Sequence, residues 1–159
     1  MRFLCDQMLG RLARWLRFLG FDTFYANNEM ADDELLDIAK REERVLITRD
    51  KELVFRCRKH LIPFVHIQTD NIDEQLLFTV RSSDAVIRDE DIFSRCSECN
   101  ALLERIEKES VEQMVPKRVF EQHDDFLQCP QCKKVYWAGT HTDNIMEKIS
   151  WLKKSLGNY

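Results

Sequence analysis

An α/β protein with a mostly parallel sheet, helices on both faces and a smaller second module is what this sequence predicts. Three observations carry that reading. Short apolar runs alternate with amphipathic stretches over the first 80 residues. One of those runs, Val45-Leu46-Ile47-Thr48, is rich in β-branched residues without a polar alternation, as suits a strand buried on both sides. Two Cys-x-x-Cys pairs occur, both in the second half.

The elements follow in order. Arg2-Phe3-Leu4-Cys5 reads as a first strand, followed by a helix over residues 7–19 with Gly20 as its stop. Met8, Leu9, Leu12, Trp15, Leu16 and Leu19 share one face of that helix. Thr23-Phe24-Tyr25 is a second strand, and Asp32 opens a helix to residue 42 with Leu35, Leu36, Ile38 and Ala39 as its apolar face. The run 45–48 is the third strand, 51–59 a helix, 64–67 the fourth strand and 72–80 a further helix. Strand–helix alternation at this spacing implies crossover connections and a parallel sheet. The first module is therefore expected over residues 1–83. The second, over 84–159, holds the cysteine pairs and a closing helix over 143–156.

Composition sets the outer limits. With 159 residues, 44% hydrophobic and 33% charged, the chain fits a globular protein rather than a disordered one. Four glycines and three prolines exclude collagen-like and low-complexity readings. No apolar run approaches the roughly 20 residues of a membrane helix. Asp6 also interrupts the N-terminus before a signal-peptide core can form, so a cytoplasmic location is expected. The net charge is -4, and neither half is a basic tail. Any nucleic-acid contact must therefore come from a local patch.

The aspartates are the most informative pattern. Asp6 follows the first strand, Asp32 the second, Asp50 the third and Asp70 the fourth. In a parallel sheet all four lie at the carboxyl edge, where open α/β sheets bind ligands. Asp32 falls within its helix's apolar arc and is expected to face the sheet edge, whereas Asp33 and Asp37 face away. Convergent carboxylates with no lysine among them call for a hard cation, magnesium or manganese, which can activate water at a phosphodiester. The competing reading is that these residues only cap helices, since aspartate is a preferred N-cap. The two readings are compatible.

Arg11, Arg14 and Arg17 recur every third residue on the first helix, and Arg49 adjoins Asp50. They either hold a phosphate backbone leading into the acidic edge or form the solvated side of an amphipathic helix. His141 opens the last helix and has the same two readings, phosphate contact or plain helix start. Tyr136-Trp137 either stacks on a base or packs the hairpin around the cysteines.

Cys96-Ser-Glu-Cys99 and Cys129-Pro-Gln-Cys132 form two knuckles suited to a closed four-thiolate zinc site. Zinc is preferred to an iron–sulfur cluster, redox thiols or disulfides in a reducing compartment. Four thiolates saturate the metal, so this zinc is structural and supplies folding energy to a small module. Cys5 and Cys57 read as small buried hydrophobes.

Together these stretches resemble a known family, the Mut-seven C-terminal RNase family, a PIN-like nuclease domain with a C-terminal zinc ribbon. The resemblance is carried by Phe3-Leu4-Cys5-Asp6 with Met8 through Arg17, by Asp32-Asp33-Glu34-Leu35 through Ala39, and by Arg44 through Asp50. Both knuckles and Tyr136-Trp137-Ala138-Gly139-Thr140-His141 extend it over nearly the whole chain. It implies a three-layer α/β/α PIN-like fold with a zinc-ribbon module, hydrolysing RNA phosphodiesters with one or two divalent ions. Carried over, Asp6, Asp32 and Asp50 are the magnesium or manganese ligands, with Asp33 as the fallback for Asp32 and Asp70 as a fourth acid. Asp73 or Asn71 are alternatives to Asp70. PIN-like proteins often pair, so the partners implied are RNA and a second copy of the chain, with no membrane. Two other functional classes compete: a non-catalytic RNA- or ribosome-binding adaptor, and a hydrolase of small phosphoesters.

Overall fold

The computed structural model describes residues 1–157. Strand β1 (Arg2–Cys5) leads to helix α1 (Gly10–Phe18), β2 (Asp22–Tyr25), α2 (Asp32–Arg41), β3 (Val45–Thr48), α3 (Lys51–Lys59), β4 (Phe64–His66) and α4 (Ile72–Ser82). The four strands form one parallel sheet in the order β2-β1-β3-β4. Side chains alternate between two cores, as the pleat requires. Phe3, Cys5 and Ile47 join Leu12, Leu16, Leu76 and Val80 of α1 and α4 on one face. Leu4 and Leu46 join Leu35, Leu36, Leu53 and Cys57 of α2 and α3 on the other. This is the expected three-layer α/β/α arrangement.

The chain's order reverses at β1, with β2 on one side and β3 on the other. The gap between the carboxyl ends of β1 and β3 is therefore the topological switch point of the sheet. Asp6 and the Thr48-Arg49-Asp50 segment fall there.

Helix α1 starts at Gly10 rather than at residue 7. Asp6 closes a turn first, its carboxylate accepting from the Met8 amide and its carbonyl from the Leu9 amide. Met8, expected on the helix's apolar face, is exposed in that turn. Gly20 has φ +86°, and a Cβ there would stand 2.3 Å from the Asp91 carbonyl oxygen, so only glycine fits.

After α4 the chain builds a three-stranded antiparallel sheet of β5 (Glu104–Ile106), β6 (Phe126–Gln128) and β7 (Val135–Trp137), with the short helix α5 (Lys117–Gln122) before β6. One face of this ribbon packs its own small core of Val111, Val115 and Phe126, against which Ile106, Val135 and Trp137 lie. Helix α6 (Thr140–Leu156) closes the described chain. It starts at Thr140, earlier than the expected 143, because the Thr142 hydroxyl accepts from the Gly139 amide and donates to the Trp137 carbonyl.

Helix α6, grouped by sequence with the second module, packs on α1 and α4 of the first. Ile145, Ile149 and Leu152 are buried in the same core as Phe3, Leu12 and Leu76. Lys148 reaches back to Asp73 and lies over the Trp15 ring, 5.0 Å from its centroid. The ribbon is thus an insertion between α4 and α6 of one layered domain. The reason is amphipathicity: α6 has one apolar stripe, Ile145, Ile149 and Leu152, and it is covered by the apolar residues of α1 and α4.

Candidate functional site

At the switch point Asp6 is nearly buried, 5% exposed. One carboxylate oxygen accepts from the Met8 amide at 2.9 Å; the other accepts from the Thr48 hydroxyl and the Arg49 amide. The Thr48 hydroxyl in turn accepts from the Asp50 amide at 2.9 Å. One fully buried threonine therefore ties the two aspartates into a single hydrogen-bonded unit. Period-2 geometry explains the meeting: Leu4 pairs with Leu46 and Cys5 with Ile47, so Asp6 and Thr48 come next in register and point to the same face.

Asp50 is the N-cap of α3, its Oδ1 accepting from the amides of Glu52 and Leu53 at 2.7 and 3.3 Å. Asp32 and Asp33, in the first turn of α2, both pair with Arg56 of α3, Asp32 at 3.5 Å. Asp32 is the less exposed of the two. Asp70 is exposed and pairs with Arg49. Asn71, not Asp70, caps α4, and Asp73 is engaged by Lys148. The Asp6 carboxylate and the Asp50 backbone are thus linked through Thr48, whereas Asp32, Asp33 and Asp70 are each held by an arginine. The compensating charges of the acidic edge are Arg56, which the sequence reading did not single out, and Arg49, which it read as a phosphate contact beside Asp50. Among the described residues, no three carboxylates bring oxygens within 4.8 Å of one another.

The arginine strip divides. Arg11 is exposed on α1. Arg14 pairs with Glu98 of the first knuckle at 3.1 Å. Arg17, expected to hold RNA, is instead 6% exposed and turned against the first knuckle. Its Nε donates to the Thr23 carbonyl at 3.0 Å, and one terminal nitrogen donates to the carbonyls of Ser97 and Glu98 at 3.0 and 2.8 Å. Burial lowers its pKa, and the neighbouring thiols of Cys5, Cys96 and Cys99 oppose that drop. With Nε and one terminal nitrogen engaged by carbonyls and the side chain buried, Arg17 fastens the first knuckle to α1 and β2.

The knuckles meet the geometric requirement for a metal. The four sulfurs of Cys96, Cys99, Cys129 and Cys132 lie within 4.8 Å of one another, the scale of a tetrahedral thiolate site. Each knuckle turns back on itself in the same way. The Cys96 amide bonds Ala101 and the Asn100 amide bonds Cys96; the Cys129 amide bonds Lys134 and the Lys133 amide bonds Cys129. Asn100 and Lys133 both take the left-handed region, at φ 72° and 64°. Burial pushes the Cys96 thiol up, but the Tyr136 hydroxyl and the amides of Cys99 and Glu98 hold its thiolate and bring it down to about 6. Burial leaves the Cys99 thiol pushed up to about 12. These residues fit a structural metal such as zinc. The knuckle is also fastened to the sheet: Asn100 accepts from the Thr23 amide and donates to Asp22, both at the start of β2.

Cys5 and Cys57 are buried in the two cores, and burial raises both thiols. His141 is exposed in the first turn of α6. No helix among the described residues is long and apolar enough to cross a membrane.

A family model described as the Mut7-C RNAse domain matches residues 1–149. No curated protein matches the chain.

Proposed function

The chain belongs to the Mut7-C RNAse domain family, and from that premise we propose that it is a ribonuclease that hydrolyses RNA phosphodiester bonds with magnesium or manganese at the acidic edge. The observation that supports this reading is the Thr48 hydroxyl at the sheet's switch point, which donates to the Asp6 carboxylate and accepts from the Asp50 backbone amide. The donor set is all carboxylate oxygen, the chemistry a hard cation takes. Asp50 offers a second carboxylate oxygen that accepts no hydrogen bond from the described residues. Asp6, Asp50 and Asp32 would hold the cation, with Asp33 as the alternative to Asp32 and Asp70 at the periphery. When bound, the cation would lower the pKa of a water and stabilise charge developing on the phosphate. The chain's own part is positional. Thr48 fixes the rotamer of Asp6, the Arg49 amide holds its second oxygen, and Arg11 and the Arg49 side chain, once it leaves Asp70, contact flanking phosphates. Zinc at the four cysteines has a structural role.

One observation favours a second reading. Asp6 closes a turn, Asp50 caps a helix, and Asp32, Asp33 and Asp70 are ion-paired, so the set also serves a protein that only binds RNA. The experiment that decides uses zinc-loaded protein with single-stranded RNA and manganese. Cleavage and calorimetric manganese binding, both lost in Asp6→Asn/Asp50→Asn with the fold retained, support the nuclease. RNA binding without cleavage or manganese uptake in the wild type supports the adaptor.

A further inference from the structure

Away from the acidic edge lies a cleft of about 760 Å³, containing none of Asp6, Asp32, Asp50 or Asp70. It opens between the ribbon sheet and the layered domain. The ribbon uses one face for its own core; on the other, Arg105, Leu127 and Tyr136 stand in register across the three strands. That row lines the cleft together with Phe18, Phe93 and Ile145, the ribbon's Phe126 and Trp137, and the first turn of α6.

The lining combines a large apolar wall with cations along the strands. Phe18 and Phe93 meet edge to face at 5.9 Å. Arg95 is fixed by the carbonyls of Gly20 and Asn100. Lys134 lies over the Tyr136 ring, 5.4 Å from its centroid, and pairs with Glu98. Arg105 is exposed and makes no ion pair among the described residues. Carboxylates of Glu107, Glu109, Asp124 and Asp125 gather instead at the end where β5 leaves and β6 enters, with Lys108 on Asp124. The cleft is thus polar along its length: cationic beside the knuckles, apolar in the middle and acidic at the far rim.

We propose that this cleft is a second RNA site, holding about one or two nucleotides of a single-stranded segment outside the acidic edge, a size typical of ligand clefts. The identity of the occupant rests on the ribonuclease reading; the existence of the site rests on the cleft. Phosphate meets Arg105, Lys134 and Arg95, a base lies against the aromatic wall, and its amino groups point to the acidic rim, which repels phosphate and so sets strand direction. Apolar stacking with cationic tracking is the general recipe for single-stranded nucleic acid. Tyr136-Trp137 and His141 then acquire one shared setting, since all three line the cleft.

The test uses the zinc-loaded full chain carrying Asp6→Asn and Asp50→Asn, without magnesium or manganese, so that the acidic edge is disabled. A fluorescein-labelled oligoadenylate is titrated by anisotropy, and a 4-thiouridine RNA is photo-crosslinked and the peptides mapped. Arg105→Glu, at an exposed position that folding does not need, is expected to weaken binding at least tenfold. It should also reduce the slope of log affinity against log salt by about 1. Crosslinks are expected within 102–106 and 134–142. Unchanged affinity in Arg105→Glu, or crosslinks confined to the Asp6–Asp50 edge, overturns the proposal. Adenosine monophosphate binding as tightly as the oligonucleotide overturns it too, by making the cleft a free-nucleotide site. Failure of the wild type to cleave RNA, with cleft crosslinks present, would refute the ribonuclease reading alone.

Discussion

Replacing Arg17 with methionine removes a side chain that joins α1, β2 and the first knuckle. Its guanidinium is buried and satisfies the carbonyls of Thr23 on β2 and of Ser97 and Glu98 in the first knuckle. Methionine keeps much of the aliphatic stem but leaves those three carbonyls without their donor. A hydrogen bond from a charged donor contributes about 1.5–3 kcal/mol, and breaking a buried charged network costs about 3–5 kcal/mol. We expect Arg17→Met to lose about 3–5 kcal/mol in urea unfolding of the zinc-loaded protein. At roughly 2–4 °C per kcal/mol for a chain of this size, that lowers Tm by about 10 °C. Zinc affinity, read by competition with a chromogenic chelator, should fall with it, because the carbonyls Arg17 holds belong to residues beside Cys96 and Cys99. Arg17→Lys should not restore stability, since a single ammonium cannot reach carbonyls on both sides as the fork does. A loss below about 1 kcal/mol with zinc affinity unchanged would refute the clamp.

Three further outcomes are expected. Thr48→Val removes the hydroxyl shared by Asp6 and Asp50; it should cost about 1–3 kcal/mol in urea unfolding and abolish most manganese-dependent cleavage, while Thr48→Ser keeps both. Arg56→Met frees Asp32 and Asp33 from their cation and should tighten manganese binding several-fold by calorimetry; weaker binding would place Arg56 outside the competition. At acid pH the start of β2 should give way. Burial works to raise the Asp22 pKa, but hydrogen bonds from Arg44 and Asn100 outweigh it and hold the carboxyl below its ordinary value. A depressed carboxyl stabilises the fold above its unfolded pKa, near about 4. That contribution is lost as pH falls through the folded value, so Asp22→Asn should flatten the decline of stability below about pH 4, as measured by thermal melts.

Much of the layered domain is legible in the sequence because its signals are local. The apolar runs, the period-3.6 helices and the Gly20 stop are each set by neighbours a few residues apart, and all four parallel strands fall where those signals put them. The knuckles are likewise local. What could not be read depends on long separations. Arg17 repeats at the spacing of a solvated or phosphate-holding strip, and only a knuckle 80 residues away turns it inward. Arg56 is an ordinary exposed-face arginine until α2 lies beside α3. Thr48 did carry a signal, a hydroxyl at the end of an apolar strand two residues before an aspartate, but its value emerges only once β1 is paired with β3 in register. The ribbon's strands are three residues each, too short for periodicity to declare them.

The interruption of one layered core by the ribbon has a consequence during synthesis. Leu12, Leu16, Leu76 and Val80 have left the ribosome long before Ile145, Ile149 and Leu152, which cover them in the finished core. At about 5–20 residues per second the wait is on the order of ten seconds. Over that interval the nascent chain presents a half-covered apolar layer, open to chaperones and to other nascent chains. Closure then comes from the last helix, so the fold is completed from its far end. In a pulse-chase experiment on stalled nascent chains, protease resistance of residues 1–82 should therefore appear only after the segment through residue 156 has cleared the exit tunnel.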